Sequence, residues 1–113
     1  MLLSNIELLR HILDEVSFIL SVVNGKSKDF VINDPVLSRA IIRSLEIIGE
    51  ASSKVHPDFK SVYSKIEWRK MSDTRNRLIH NYFGVDYDIV WDIITSKLPD
   101  LEEEIQIIIS ENE

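Results

Sequence analysis

The stretch "DPVLSRAIIRSLEIIGEASSKVHP", residues 34 to 57, decides how the chain folds. Asp34-Pro35 is an N-cap followed by proline at the first helical position, where a missing N–H costs nothing and the fixed φ suits a helix. Val36, Leu37, Ala40, Ile41, Leu45, Ile48 and Ala51 then recur at three- and four-residue spacing, a buried stripe that ends near His56-Pro57. Upstream, Ser4-Asn5-Ile6-Glu7 fits a capping box, and Ile6, Leu9, Leu13, Val16 and Leu20 carry a first helix to Asn24-Gly25. Downstream, a short turn or helical piece around Phe59 to Ile66 leads to a third major helix, begun by Trp68 and ended by Gly84. Val90, Trp91, Ile94, Leu98, Leu101, Ile105 and Ile108 mark a fourth helical region, kinked or split at Pro99. "FVI" at 30 to 32 is too short to compete as a strand. With short loops and no repeat or linker, the pattern predicts an all-α, up-and-down antiparallel bundle of four or five helices.

A chain of 113 residues suffices for one domain and is too short for two ordinary ones, so residues 1–113 are read as a single unit. Its 44% hydrophobic and 28% charged content is that of a soluble globular protein. The absence of cysteine excludes disulfides and thiolate metal sites and fits a reducing compartment. Apolar runs such as "FIL" and "III" fall far short of the roughly 20 residues that cross a bilayer, and no basic segment precedes an apolar one at the N-terminus. The expectation is a cytoplasmic protein without a membrane partner.

A net charge of −6 argues against nucleic acid, because phosphate binding wants clustered lysine and arginine. The distribution alters that reading. Residues 1–53 carry −2, residues 54–80 carry +4 and residues 81–113 carry −8. The positive charge thus gathers before and within "MSDTRNRLIHNYFGVD", residues 71–86.

On an ideal helix Leu78, Ile79, Tyr82 and Phe83 of that stretch span one apolar sector, with Arg75 projecting into its middle. Asn76 and His80 share another face, beside Asp73 and Arg77. Arg75 and His80 stand about 140° apart at 100° per residue, so they cannot simply lie side by side. Either the arginine curls round the helix, or the helix is distorted, or two chains complete the site. An arginine in an apolar sector also demands a partner, and Glu46 or Glu50 of "SLEIIGEASSK" are the candidates.

These side chains suit attack on a phosphodiester. A ribose 2′-hydroxyl can attack the adjacent phosphorus if a base removes its proton, an acid protonates the leaving 5′-oxygen, and a cation stabilises the added negative charge. Histidine can serve as base or acid, and arginine as the cation through paired hydrogen bonds. Asn76 can orient the phosphate or the imidazole. The chemistry calls for neither cofactor nor metal, and His11, His56 and His80 have no helix-face ligand spacing to one another.

"RNRLIHNYFGVD" contains arginine, four residues, histidine, one residue and tyrosine, and it resembles the signature of the HepT-like branch of the HEPN (higher eukaryotes and prokaryotes nucleotide-binding) superfamily. The resemblance runs through "LEIIGEASSKV", "IEWRKMSDTRNRLIH" and "VDYDIVWDII", and so covers most of the chain. It implies a HEPN-type bundle of four or five helices that forms a homodimer with the motifs facing a shared cleft, which would resolve the angular separation. It implies a metal-independent endoribonuclease toxin acting on tRNA or mRNA, partnered by a minimal nucleotidyltransferase antitoxin that silences it by AMP transfer. Carried over by position, Arg75 and His80 would be catalytic, Asn76 their polar assistant and Tyr82 the AMP acceptor; Arg77, Glu46 and Glu50 are read as supporting residues from their own places on the helices. AMP on Tyr82 would set bulk and negative charge beside the arginine. Glu67 departs from the family pattern, which has proline before the tryptophan.

A different class of protein is the alternative: a catalytically silent binding module that docks a nucleotidyltransferase or a nucleotide. The complete Arg75/His80 pair favours the enzyme, since a docking module needs no acid–base group. The remaining features read structurally. Asp86, Asp88 and Asp92 suit a helix start, and Glu102, Glu103 and Glu104 a solvated first turn. Trp68 and Trp91 belong to the core, and Gly49 marks a close helix contact, such as one at a dimer interface.

Overall fold

Short local signals set the helices. The computed structural model describes residues 3–80 and 82–113. The Ser4 side chain accepts from the Glu7 N–H and starts α1 (Asn5–Val23), which stops at Asn24-Gly25, where Gly25 takes the left-handed φ of 74°. The Asp34 carboxylate accepts from the N–H groups of both Val36 and Leu37 and starts α3 (Pro35–Lys54). Asp86 does the same for Asp88 and Ile89 at the head of α6 (Tyr87–Asp92). Between these lie α2 (Lys28–Asn33), α4 (Pro57–Val62) and α5 (Trp68–His80), and α7 (Leu98–Glu111) completes the series. No strand is present among the described residues, so the all-α bundle is the observed fold.

Several boundaries differ from the sequence reading. The "FVI" segment lies inside the helix α2, capped by Ser27, whose hydroxyl accepts from the Phe30 N–H. α5 ends at His80 rather than Gly84, and Tyr82–Gly84 forms a separate 3-10 turn. The fourth helical region is divided just ahead of Pro99, where Ile93–Lys97 forms a π-helical turn, in which the Leu98 N–H reaches five residues back to the Ile93 carbonyl. A proline ring strikes the carbonyl four residues before it, here Thr95, and the widened turn ahead of Pro99 relieves that contact.

The four longer helices lie in the order α5, α3, α1, α7, each packed on the next, with α2 against α3. Leu9, Ile12, Val16, Ile19, Ile41, Ile94 and Ile105 are fully buried between them. The α1 stripe is turned relative to expectation: Leu8, Leu9, Ile12, Val16, Ile19 and Val23 are buried, whereas Ile6, Leu13 and Leu20 flank the core. Helix α1 touches two neighbours, α3 and α7, and buries a face between two overlapping stripes. Trp68 is core, its indole N–H donating to the Tyr63 carbonyl at 3.1 Å. Among the described residues no helix is long and apolar enough to cross a membrane.

Candidate functional site

Gly49 positions the motif helix. A Cβ at this residue would lie 2.2 Å from the Arg75 Cβ and 2.6 Å from the Met71 carbonyl oxygen, so only hydrogen fits where α3 and α5 cross. The close contact read from Gly49 therefore exists within one chain, between α3 and α5, and brings the start of the Arg75 side chain onto the α3 backbone. Ser52, fully buried one turn on, lies against Met71 with its hydroxyl donating to the Ile48 carbonyl at 2.7 Å.

From that anchor Arg75 runs outward to partly exposed ends. Its side chain is 33% exposed, so it is not the buried charge that the apolar sector suggested. Among the described side chains of that sector Leu78 is buried, whereas Ile79 is 41% and Phe83 92% exposed. α5 ends at His80, so Phe83 does not continue the helical stripe.

The guanidinium has two partners. Nη2 lies 2.7 Å from Glu50 Oε2, and Nη1 donates to Asn76 Oδ1 at 2.9 Å. The other oxygen of Glu50 lies 3.3 Å from Lys54 Nζ, so a single carboxylate stands between two cations. Lys54 was missed in the sequence, although its spacing of four from Glu50 on α3 announces such a pair. The cluster of Arg75, Lys54 and Glu50 keeps one net positive charge at the protein surface, which is the sign a phosphate needs.

Of the other predicted supports, Glu46 does not reach the arginine. Its carboxylate lies 3.4 Å from Arg43 on its own helix. Arg77 stands apart as well: two positions on from Arg75, it turns to the opposite flank of α5 and lines a groove with Asp73 and Thr74. His80 closes α5, and Tyr82 opens the 3-10 turn; their side chains lie outside the described residues, as does Asn81.

Elsewhere, the Asp88 carboxylate meets the Lys28 ammonium, linking α6 to α2 and raising the lysine above its ordinary pKa. Glu102 is less solvated than a first-turn acid should be, because it accepts from the Ser17 hydroxyl of α1 at 2.8 Å. Among the described residues, no group of three or more His, Asp or Glu side chains is placed to hold a metal ion.

Comparison with known proteins places this arrangement in a family. A protein of Caldanaerobacter subterraneus named "Putative RNase TTE0752" is 44% identical over 101 residues, 89% of this chain and 90% of its own. "Putative RNase MJ0127" of Methanocaldococcus jannaschii is 39% identical over 102 residues, 90% of this chain and 84% of its own. "Probable ribonuclease HepT" of Thermococcus cleftensis is 48% identical over 63 residues, 56% of this chain and 57% of its own. No solved structure matches the chain. The family model described as "Ribonuclease HepT-like" matches residues 12–108, which include both α3 and the whole of α5, and the chain therefore belongs to the HepT-like family of the HEPN superfamily.

Proposed function

We propose that the protein is a metal-independent endoribonuclease toxin whose cleavage site is built from Arg75, Asn76 and His80. The observation that carries the reading is the Arg75 guanidinium, held by Glu50 and Asn76 at a partly exposed position in a HepT-like chain. A guanidinium offers five N–H donors, and Glu50 and Asn76 leave others for phosphate oxygens. It would stabilise the charge that grows on phosphorus while His80 takes the 2′-hydroxyl proton or returns one to the 5′-oxygen. The products would be a 2′,3′-cyclic phosphate and a 5′-hydroxyl.

The same reading makes the active species a homodimer, in which the histidine of each chain meets the arginine of the other. The exposed Ile79 and Phe83, beside the motif, are apolar surface that such a partner would cover. It also names the control. A minimal nucleotidyltransferase antitoxin would present ATP, the Tyr82 phenol oxygen would attack the α-phosphorus, and pyrophosphate would leave. AMP on the tyrosine would then compete with RNA for the arginine.

The test is cleavage of labelled total tRNA and a model mRNA by the purified protein in EDTA, after intact mass shows it free of AMP. His80→Ala and Arg75→Ala should lose cleavage while remaining folded dimers. No cleavage by the wild type, with the dimer intact, would favour the binding-module alternative. Dissociation of the Arg75→Ala dimer would make the arginine structural.

A further inference from the structure

Helix α5 packs on α3 but makes no seam of comparable extent with α7, and between the two opens a groove of about 480 Å³. It lies on the Asp73 and Arg77 flank of α5, away from the Arg75 guanidinium. Leu45, Ile48, Ile66 and Leu98, each no more than 4% exposed, form its floor. One wall includes Ile93, Ser96 and Lys97 of the π turn, a rare feature that occurs frequently at functional sites.

The rim carries charge of both signs, four lysines and arginines against four aspartates and glutamates. One carboxylate among them is held by two ammonium groups. Glu67 Oε2 lies 2.5 Å from Lys70 Nζ, and its Oε1 lies 3.6 Å from Lys97 Nζ. Lys70 chiefly, and Lys97 after it, hold the Glu67 carboxyl below its ordinary pKa. Lys70 and Lys97 thus form a seat for one anionic group, and the chain's own side chain occupies it.

These properties select the occupant. RNA wants an excess of positive charge and aromatic faces for its bases, whereas among the described residues this rim is balanced and no Phe, Tyr or Trp lines the groove. The wall that runs from Glu67, the residue before α5, to Arg77 spans ten residue steps or about 15 Å, longer than a compact small molecule needs. An aliphatic trough of that length between two helices matches the apolar stripe of a third.

We propose that the groove docks an amphipathic helix of a partner protein, its apolar stripe on the aliphatic floor and an acidic side chain displacing Glu67 from Lys70 and Lys97. Glu67 is then a placeholder that weakens binding, the reverse of a contact residue. The proposal is independent of the RNase reading.

Two fluorescein-labelled, hydrocarbon-stapled helices of about four turns test it by anisotropy with the full chain. They share a leucine stripe and differ only in glutamate or lysine beside it. The glutamate peptide should bind, and the lysine peptide should bind at least about tenfold more weakly. Lys97→Glu should weaken the glutamate peptide by about tenfold, whereas Glu67→Ala should tighten it by about 2–5-fold, the effect of removing one exposed ionic competitor. Equal affinity for the two peptides, no binding of either, or weaker binding to Glu67→Ala would overturn the proposal. So would displacement of the peptide by an oligoribonucleotide, which would make the groove an RNA surface. Circular dichroism of each variant guards against misfolding, and both substitutions lie at the exposed rim.

Discussion

Replacing Gly49 by alanine sets two effects of opposite sign against each other. Gly49 lies inside α3, where alanine is intrinsically better than glycine by about 0.8–1.0 kcal/mol, so propensity alone predicts a more stable protein. Packing predicts the reverse. The new Cβ would stand 2.2 Å from the Arg75 Cβ and 2.6 Å from the Met71 carbonyl oxygen, where carbon atoms prefer about 3.5–4.0 Å. Both obstacles are rooted in the α5 backbone, so no side-chain rotation clears them, and α5 must move away from α3 by more than about 1 Å. Overpacking of this kind costs roughly 1–3 kcal/mol, and gaps of that width forfeit part of the remaining contact. The net expectation is a loss of about 1–2 kcal/mol, read as a fall in Tm of roughly 5–15 °C by calorimetry. Gly49→Val should fall further. A Tm for Gly49→Ala at or above the wild-type value would refute the steric account and show that α5 rides freely on α3.

Three other outcomes can be measured alongside. Ile105→Ala, at a position with no solvent exposure, should cost about 2–5 kcal/mol in urea unfolding with an unchanged slope; a loss below about 1 kcal/mol would mean that the α1–α7 seam closes over the gap. Because Lys70 and Lys97 hold the Glu67 carboxyl below the ordinary 4.5, its contribution is present above that pH and fades as the solution is acidified through the lowered value. Glu67→Gln should accordingly flatten the fall of Tm below about pH 4.5, and parallel pH profiles would show the pair to be inert. Tyr82→Phe should keep RNA cleavage yet escape AMP transfer by the antitoxin, and equal modification of both proteins in intact-mass spectra would remove Tyr82 from the proposal.

Features carried by contiguous residues were legible before any coordinates. Ser4 and Asp34 act as caps because the hydrogen bonds involved span three residues at most. Glu50 was readable as a partner for Arg75 because a charge on an apolar sector must be answered from the helix opposite. Its companion Glu46 was equally plausible on one helix face, and only the crossing point at Gly49 separates the two. Helix α2 escaped because six residues are too few to display a period, although Ser27 announced its cap. The end of α5 was masked by Gly84, a stronger stop signal than anything at His80. The groove could not be read at all, since it arises from two helices that share no extended seam.

The π turn has a consequence for how the last helix can vary in length. Val90, Ile94 and Leu98 are all buried although they are spaced four and four, a run that drifts by about 80° around an α-helix at 100° per residue. The widened turn takes up that surplus in angular register, after which Leu101, Ile105 and Ile108 resume ordinary spacing. Deleting one residue between 93 and 97 would close the widened turn to ordinary α spacing; Val90, Ile94 and Leu98 would then be spaced four and three, and seven steps of 100° come within about 20° of two full turns. Ile105 and Ile108 would keep their inward face, while the Pro99 ring would meet an ordinary helical carbonyl four residues before it. A single codon's loss here is therefore absorbed in register and felt at the proline rather than at the far end of the helix.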